Sequence, residues 1–314
     1  MKTIPLTSCP VCGSEDAQDL DAGREGHHLR ECRACGTVFA PEYADPEEVF
    51  TEGYLLGKAG KFGLDCSHPR FHDFLVRCGH RRMEVIEQAT GLGAGSTICD
   101  VGCGTGELLE AAVARGWIVQ GVEPLQDAAQ HVDQVLGLPV IATTLEESGL
   151  PESSFDVVCA MHVLEHMPSA TDFLGSLARW AKPGGYVAIE SPNWGSVQRI
   201  VYHGGWMGLR PLEHLIHLTP DSLRKAFVNT GLEPVAIRTP SHLDEVHTVE
   251  EALQALGRPH WEPKVQRFAK KKVVEGAEVD VPNGAAMAAL KLLEKRDDRR
   301  GKGAALMGVA RRPA

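Results

Sequence analysis

The chain has 314 residues, 43 % hydrophobic and 24 % charged, with a formal net charge of −10. This is enough apolar chain to bury a core without disulfide staples, and no apolar run is long enough to span a bilayer. The acidic balance argues against a nucleic-acid backbone as the main partner. The N-terminal MKTIPLTSCP lacks an apolar signal region. The sequence therefore reads as a cytoplasmic protein whose thiols stay reduced, so its nine cysteines need a use other than disulfides.

Residues 1–40 hold two C-x2-C pairs, Cys9 and Cys12 in CPVCG and Cys32 and Cys35 in CRACG, each followed by a glycine. Doubled pairs at this separation read as a tetrahedral four-thiolate zinc site. The expectation is a small zinc ribbon with a structural ion, because four thiolates leave no open coordination position. Residues 41–95 form a connector, with apolar residues at helical spacing through FHDFLVRCGHRRMEVIEQAT and a break at GLGAGS.

From residue 96 to about 257 the rhythm is strand–helix–strand. TICDV, WIVQGVEP, PVIATT, FDVVCAM, GGYVAIESP and EPVAIRTP read as strands, with helical stretches between most of them. TPDSLRKAFVNTG is a helix capped near Thr219 or Asp221 and ended by Gly231. The fold class is α/β, a mostly parallel sheet with helices on both faces. Residues of about 192–218 look like an insertion, rich in aromatics and glycine in WGSVQRIVYHGGWMG. Residues 258–314 carry 14 Lys/Arg against 7 Asp/Glu and read as a solvated basic extension. Its last stretch, ALMGVARRPA, could return as an edge strand or stay without order.

The sharpest signal is ICDVGCGTGELLEAA, with Asp100 before Gly102, Cys103, Gly104 and Gly106. A glycine turn between strand and helix lets a ligand approach the backbone. A P-loop would need G-K-[ST], but Glu107 follows Gly106. A dinucleotide fingerprint would need a third glycine where Glu107 stands. With two acids beside the turn, the expected ligand is a nucleoside whose near end is cationic or zwitterionic.

This stretch resembles the first motif of class I S-adenosylmethionine-dependent methyltransferases, over roughly residues 96–240. The resemblance implies a Rossmann-like sheet of seven strands. It also implies S-adenosylmethionine as cofactor, its amino-acid end against Gly102, Cys103 and Gly104 and its ammonium side near Asp100. Glu123, in QGVEP, occupies the position of the acid that holds the ribose hydroxyls, with Pro124 beside it. After the third strand the family usually has Asp before an apolar residue near the adenine; this chain has Thr144 and Leu145. Met161 ends the fourth strand on the same edge. Tyr54, in EGYLLG, stands where the family often places a lid.

Two histidine groups could serve the chemistry. His162, Glu165 and His166 follow the fourth strand, and the i, i+4 spacing of the two histidines suits a metal pair. The segment resembles ubiquinone-pathway O-methyltransferases, where a carboxylate stands at the position of His162 and a divalent metal is implied. The second group is Arg210, Glu213, His214 and His217. It resembles the sugar C-methyltransferases of deoxysugar pathways, which also carry an N-terminal zinc ribbon and in which a Glu-His pair does acid–base work. The expected catalytic residues are His214 as base, Glu213 orienting it, and His162. Three functions remain open on the sequence: transfer to a hydroxyl of a sugar or secondary metabolite, transfer to carbon of a nucleotide-sugar, or a non-catalytic module binding a protein or RNA.

Overall fold

The computed structural model describes residues 2–21, 28–56, 66, 69–202, 204, 206, 208–210, 212–242, 269–274, 277–282 and 284–314. The stretch around the expected boundary at 257/258, through Phe268, lies outside the described residues, as do His203, Gly205 and Met207 of the aromatic insertion.

The N-terminal unit is built from β1 (Thr3–Pro5), β2 (Ala17–Asp21), β3 (His28–Cys32), β4 (Val38–Phe39) and β5 (Glu42–Ala44), followed by α1 (Pro46–Val49) and α2 (Pro69–Thr90). The two knuckles close as tight turns, with Gly13 N–H donating to the Cys9 carbonyl and Gly36 N–H to the Cys32 carbonyl, each at 2.8 Å. Both glycines have positive φ, +71° and +75°, which is why a glycine follows each pair.

The main unit runs β6 (Thr97–Val101), α3 (Glu107–Val113), β7 (Ile118–Val122), α4 (Gln126–His131), β8 (Val140–Ile141), β9 (Phe155–Met161), α5 (Ala170–Trp180), β10 (Ala181–Pro192), α6 (Val197–Tyr202), β11 (Ile216–His217), α7 (Pro220–Asn229) and β12 (Glu233–Arg238). A hairpin, β13 (Ala269–Val274) and β14 (Ala277–Pro282), precedes α8 (Gly284–Arg299) and β15 (Ala305–Arg311). The central strands are apolar on both faces, as in VVCA of β9 and VAI of β10, because helices cover both sides of a parallel sheet. Helix α5 is capped by Ser169, whose hydroxyl accepts the Asp172 N–H, and α7 by a Thr219–Ser222 capping box with Pro220 in its first turn.

The sheet has seven strands in the order β12-β15-β10-β9-β6-β7-β8. Only β15 runs antiparallel to its neighbours. This is the expected Rossmann-like arrangement. Chain order reverses between β6 and β9, so the crevice at their carboxyl ends is the topological switch point where such sheets bind ligands.

Two features differ from the sequence-based expectation. The last strand is neither at an edge nor without order: β15 lies between β10 and β12, its residues 305–310 all buried. Gly308 makes this possible, since a Cβ there would stand 2.7 Å from both Leu223 and Phe227 of α7. The ribbon also does not close at residue 40. It continues to β5, which pairs with β1, and its four-stranded sheet, β11-β4-β3-β2, takes its outer strand from the insertion. Among the described residues no helix is long and apolar enough to cross a membrane.

Candidate functional site

The glycine turn leaves the end of β6 with Gly102 at φ +71° and enters α3 from Gly106 at φ +91°. A Cβ on Gly102 would lie 2.6 Å from Val163 Cγ2, and one on Gly106 would lie 2.7 Å from Leu136 Cδ1. These glycines are required by backbone conformation and by the close passage of the 162–166 turn and the helix after β7.

Asp100 and Glu123 end adjacent strands and are both buried, at 2 % and 4 % exposure. The two Glu123 oxygens each accept one backbone N–H, from Gly104 at 2.8 Å and Leu125 at 2.9 Å. A carboxylate oxygen has two lone pairs, so each keeps one for a further donor. Burial raises the Glu123 carboxyl above its ordinary range, partly offset by those N–H groups. Burial raises Asp100 further, to about 7. An acid held that high loses stability for the fold as pH climbs from its unfolded value through 7, and a cationic ligand beside it reverses this loss.

Of the other expected cofactor residues, Cys103 and Leu145 are buried, Met161 is half-buried, and Pro124 and Thr144 are exposed. The Thr144 hydroxyl donates to Glu147 at 3.2 Å. The turn carrying Tyr54 bridges two sides of the crevice. Gly53 N–H donates to Asp127 at 2.6 Å, Leu55 lies against Gly104, and the Tyr54 hydroxyl donates to Glu213 Oε2 at 2.9 Å.

The histidine groups are brought together, with roles the spacing did not reveal. His166 Nδ1 lies 2.8 Å from the Glu213 carbonyl, and His214 Nδ1 lies 2.9 Å from the Gly208 carbonyl. A carbonyl only accepts, so both Nδ1 atoms carry the hydrogen and both Nε2 atoms present lone pairs. The two rings meet edge-on, with centroids 4.8 Å apart. Glu165 is 1 % exposed, and its Oε2 has no hydrogen-bond partner among the described residues. One donor atom from each of Glu165, His166 and His214 lies within 4.8 Å of the others. Burial lowers the pKa of His166, and burial with the neighbouring His166 lowers that of His214 much further, so both rings are neutral near pH 7.

Glu213 does not turn its carboxylate to His214. It accepts from Tyr54 and from Arg210 Nη2, each at 2.9 Å, and only its backbone carbonyl serves an imidazole, that of His166. His162 has no free lone pair: Nδ1 is 3.2 Å from Glu165 Oε1 and Nε2 is 3.2 Å from Glu190 Oε1. Desolvation works to lower its pKa, but 44 % of the side chain is exposed, and the bonds to Glu165 and Glu190 raise the value to about 9, which favours the imidazolium at neutral pH. Its left-handed backbone, φ +59°, places the ring between the two acids. His217 is buried at the ribbon contact and is not part of this group.

Glu190, fully buried near the end of β10, was not singled out from the sequence. Arg82 of α2 donates to its Oε1 through Nε at 2.9 Å and Nη2 at 2.6 Å, and His242 Nε2 is 3.2 Å from its Oε2. Burial would raise the Glu190 carboxyl; Arg82, His242 and His162 together hold it well below the usual range. A carboxylate in an otherwise apolar strand end was the available signal, since such a charge demands a partner.

A family model described as a methyltransferase domain matches residues 75–237, more than half of the chain. The chain belongs to this methyltransferase family. The methyltransferase domain is similar to the ubiquinone biosynthesis O-methyltransferase of Rhodopseudomonas palustris (strain BisB5), 32 % identical over 205 residues that cover 60 % of this chain and 80 % of the relative. The corresponding enzyme of Bradyrhizobium sp. (strain ORS 278) is 31 % identical over 163 residues, 48 % of this chain and 64 % of the relative. For that of Vibrio parahaemolyticus the match is 36 % over 115 residues, 35 % of this chain and 48 % of the relative. The methyltransferase chain thus spans about half to two thirds of the length of most of these curated relatives. A solved S-adenosylmethionine-dependent methyltransferase from Archaeoglobus fulgidus is 20 % identical, with a TM-score of 0.45, covering 74 % of this chain and 92 % of that one.

If Asp100 faces the cationic end of the cofactor, affinity for S-adenosylhomocysteine should rise with pH up to about 7, by at most about tenfold per unit, and flatten above it. Glu123 and Glu107 are pushed in the same direction by burial, so Asp100→Asn should make the profile shallower rather than flat. Calorimetric titrations between about pH 5.5 and 8.5 check this; an unchanged profile in the Asn variant removes Asp100 from the role.

Proposed function

We propose that the chain transfers the methyl group of S-adenosylmethionine to a hydroxyl oxygen of a small molecule. The observation that carries this reading is the convergence of Glu165, His166 and His214, starting two residues beyond Val163, which covers Gly102 of the glycine turn. The relatives' names, which specify O-methyl transfer, support it.

In this reading Gly102, Cys103 and Gly104 take the amino-acid end of the cofactor, with Asp100 near its ammonium group. Glu123 takes the ribose hydroxyls on its remaining lone pairs. Pro124, Thr144, Leu145 and Met161 line the nucleoside side, and Tyr54 closes the crevice by tying its turn to Glu213. The acceptor oxygen attacks the sulfonium methyl in line, the C–S bond breaks, and the hydroxyl proton passes to His214 Nε2. That imidazole is neutral but a weak base, so positioning supplies much of the rate.

The resemblance to ubiquinone-pathway enzymes implies a divalent cation at this turn. The orphaned Glu165 oxygen and the two imidazole lone pairs fit one: Glu165, His166 and His214 would hold it, while His162, bonded at both nitrogens, would not. Imidazole donors favour a transition ion over magnesium, and such an ion when bound lowers the pKa of a coordinated hydroxyl. His214 Nε2 has one lone pair, so ligation and proton acceptance are alternative uses of it.

Cys9, Cys12, Cys32 and Cys35 hold structural zinc in this reading. Their sulfurs all lie within 4.8 Å of one another, with closest pairs at 3.5 Å. A tetrahedron with Zn–S near 2.3 Å requires sulfurs about 3.8 Å apart. Transfer to carbon of a nucleotide-sugar ranks second, because Glu213 is bound to Tyr54 and Arg210 and does not form the Glu–His pair which that reading uses. The test is S-adenosylhomocysteine release with a panel of phenols, catechols, sugars and nucleotide-sugars, with product mass and fragmentation. An O-methyl product is expected; a C-methyl product selects the second reading. Cofactor binding without turnover on any of them selects the binding module.

A further inference from the structure

The segment that carries Glu213 and His214 is held between the ribbon and the 162–166 turn. On the ribbon side, Ile216 pairs with Phe39 and His217 with Val38. Ala40 N–H donates to the Leu215 carbonyl at 2.8 Å and Ala44 N–H to the Leu212 carbonyl at 3.0 Å. On the other side, Leu215 N–H donates to the Glu165 carbonyl at 2.7 Å. Phe39, Leu215 and Ile216 are all at least 98 % buried. Both members of the β4–β11 pair are two-residue strands, too short to hold a position by their own pairing.

What places β4 is the second knuckle. Cys35 stands three residues before it, the Cys35 sulfur lies 3.1 Å from the Thr37 hydroxyl, which donates to it once it is a thiolate, and Cys32 N–H donates to the Thr37 carbonyl at 2.9 Å. Both knuckles are also fastened to the methyltransferase domain. Lys225 Nζ donates to the Cys35 carbonyl at 2.8 Å, Asn229 Nδ2 to Val11 at 3.0 Å, and Ala170 N–H to Pro10 at 2.8 Å. The ribbon is therefore braced on α5 and α7 while β4 holds the insertion through β11.

We propose that the four-cysteine site is a positioning device for the acceptor side of the crevice. Acting through Phe39 and the β4–β11 pair, Cys32 and Cys35 set where Glu213 and His214 stand, and therefore the tautomers of His166 and His214. β6, β7 and the glycine turn make none of these hydrogen bonds; Val101 and Val122 share an apolar cluster with the ribbon but no bond to it. The inference rests on the acceptor-side reading of His214, but the coupling itself is measurable without any acceptor.

The experiment uses the full chain. Purified protein should contain one equivalent of zinc, removed by Cys32→Ser or by a strong chelator. Hydrogen exchange should then rise by at least about tenfold at residues 212–217 and 164–166, with residues 97–122 unchanged and S-adenosylhomocysteine affinity within about threefold. In 15N-histidine-labelled protein, the Nδ1–H signatures of His166 and His214 should be lost together. Phe39→Ala should reproduce the exchange pattern with zinc retained, and Phe39→Leu should restore most of the protection. Four results each overturn the proposal: zinc-free purified protein, full protection of 212–217 after zinc loss, loss of protection throughout 97–122, or unchanged exchange in Phe39→Ala. Turnover on an O-acceptor with an uncoupled ribbon would leave the proposed function standing and sink this inference alone.

Discussion

His214→Ala is expected to lower methyl-transfer turnover by about 10²–10⁴-fold, the usual span for losing a group that manages the acceptor's proton. Affinity for S-adenosylhomocysteine should change little, because no bond of His214 reaches the glycine turn or Glu123; its Nδ1 is committed to Gly208. His162→Ala should behave differently. Removing the imidazolium between Glu165 and Glu190 leaves two buried carboxylates facing each other with less compensation, so the first loss should be thermal stability. That loss should be largest below the ordinary histidine value of about 6.5 and should fade as pH rises through about 9, where the His162 ring gives up its proton in the folded protein. Brief chelation is the companion measurement on the wild-type protein. Four thiolates at the ribbon would hold an ion more tightly than a site of two imidazoles and one carboxylate. Turnover lost on chelation and restored by Mn²⁺ or Co²⁺ assigns His214 to ligation; turnover retained assigns it to proton transfer. A His214→Ala enzyme within threefold of wild type would move the chemistry to positioning alone.

The parts of the molecule that could be read from the sequence are those whose cause is local. Four cysteines on two glycine turns, a glycine turn with an acid before it, and strands apolar on both faces each carry their explanation within a few residues. What could not be read is set by partners far apart in the chain. Arg82 and Glu190 are separated by 108 positions and Tyr54 and Glu213 by 159. Each charge is visible in the sequence as a group that needs a partner, but periodicity does not say which. The β4–β11 pair is shorter than any periodic pattern, so the continuity between ribbon and insertion leaves no local trace. His162 shows the same limit for chemistry. Its spacing to His166 suits a metal pair, yet a positive φ and two carboxylates make it a fixed cation.

Glu123→Ala is expected to weaken cofactor binding by about 2–4 kcal/mol, or roughly 30- to 1,000-fold in dissociation constant, through loss of two partly charge-assisted bonds to the ribose hydroxyls. The same substitution also strips the acceptors from Gly104 and Leu125 N–H, whose bonds at 2.8 and 2.9 Å fix the glycine turn against the end of β7. Part of the measured loss could then come from a loosened turn. Glu123→Gln removes half of each set of acceptors, so comparing affinity with stability across Gln and Ala weighs the two effects. The amide keeps one accepting oxygen and the side chain's shape, but its NH₂ cannot accept the second backbone N–H or serve as acceptor for the second hydroxyl. If the ribose contact dominates, Gln should retain most of the thermal stability and still lose at least about tenfold in affinity for S-adenosylhomocysteine. If the turn dominates, affinity and stability should fall in proportion across Gln and Ala. Calorimetry with S-adenosylhomocysteine and with adenosine distinguishes further, because adenosine keeps the ribose but lacks the amino-acid end. A Glu123→Ala penalty of similar size for both ligands places the contact on the ribose. A penalty confined to S-adenosylhomocysteine places it on the glycine turn and removes Glu123 from the ribose role.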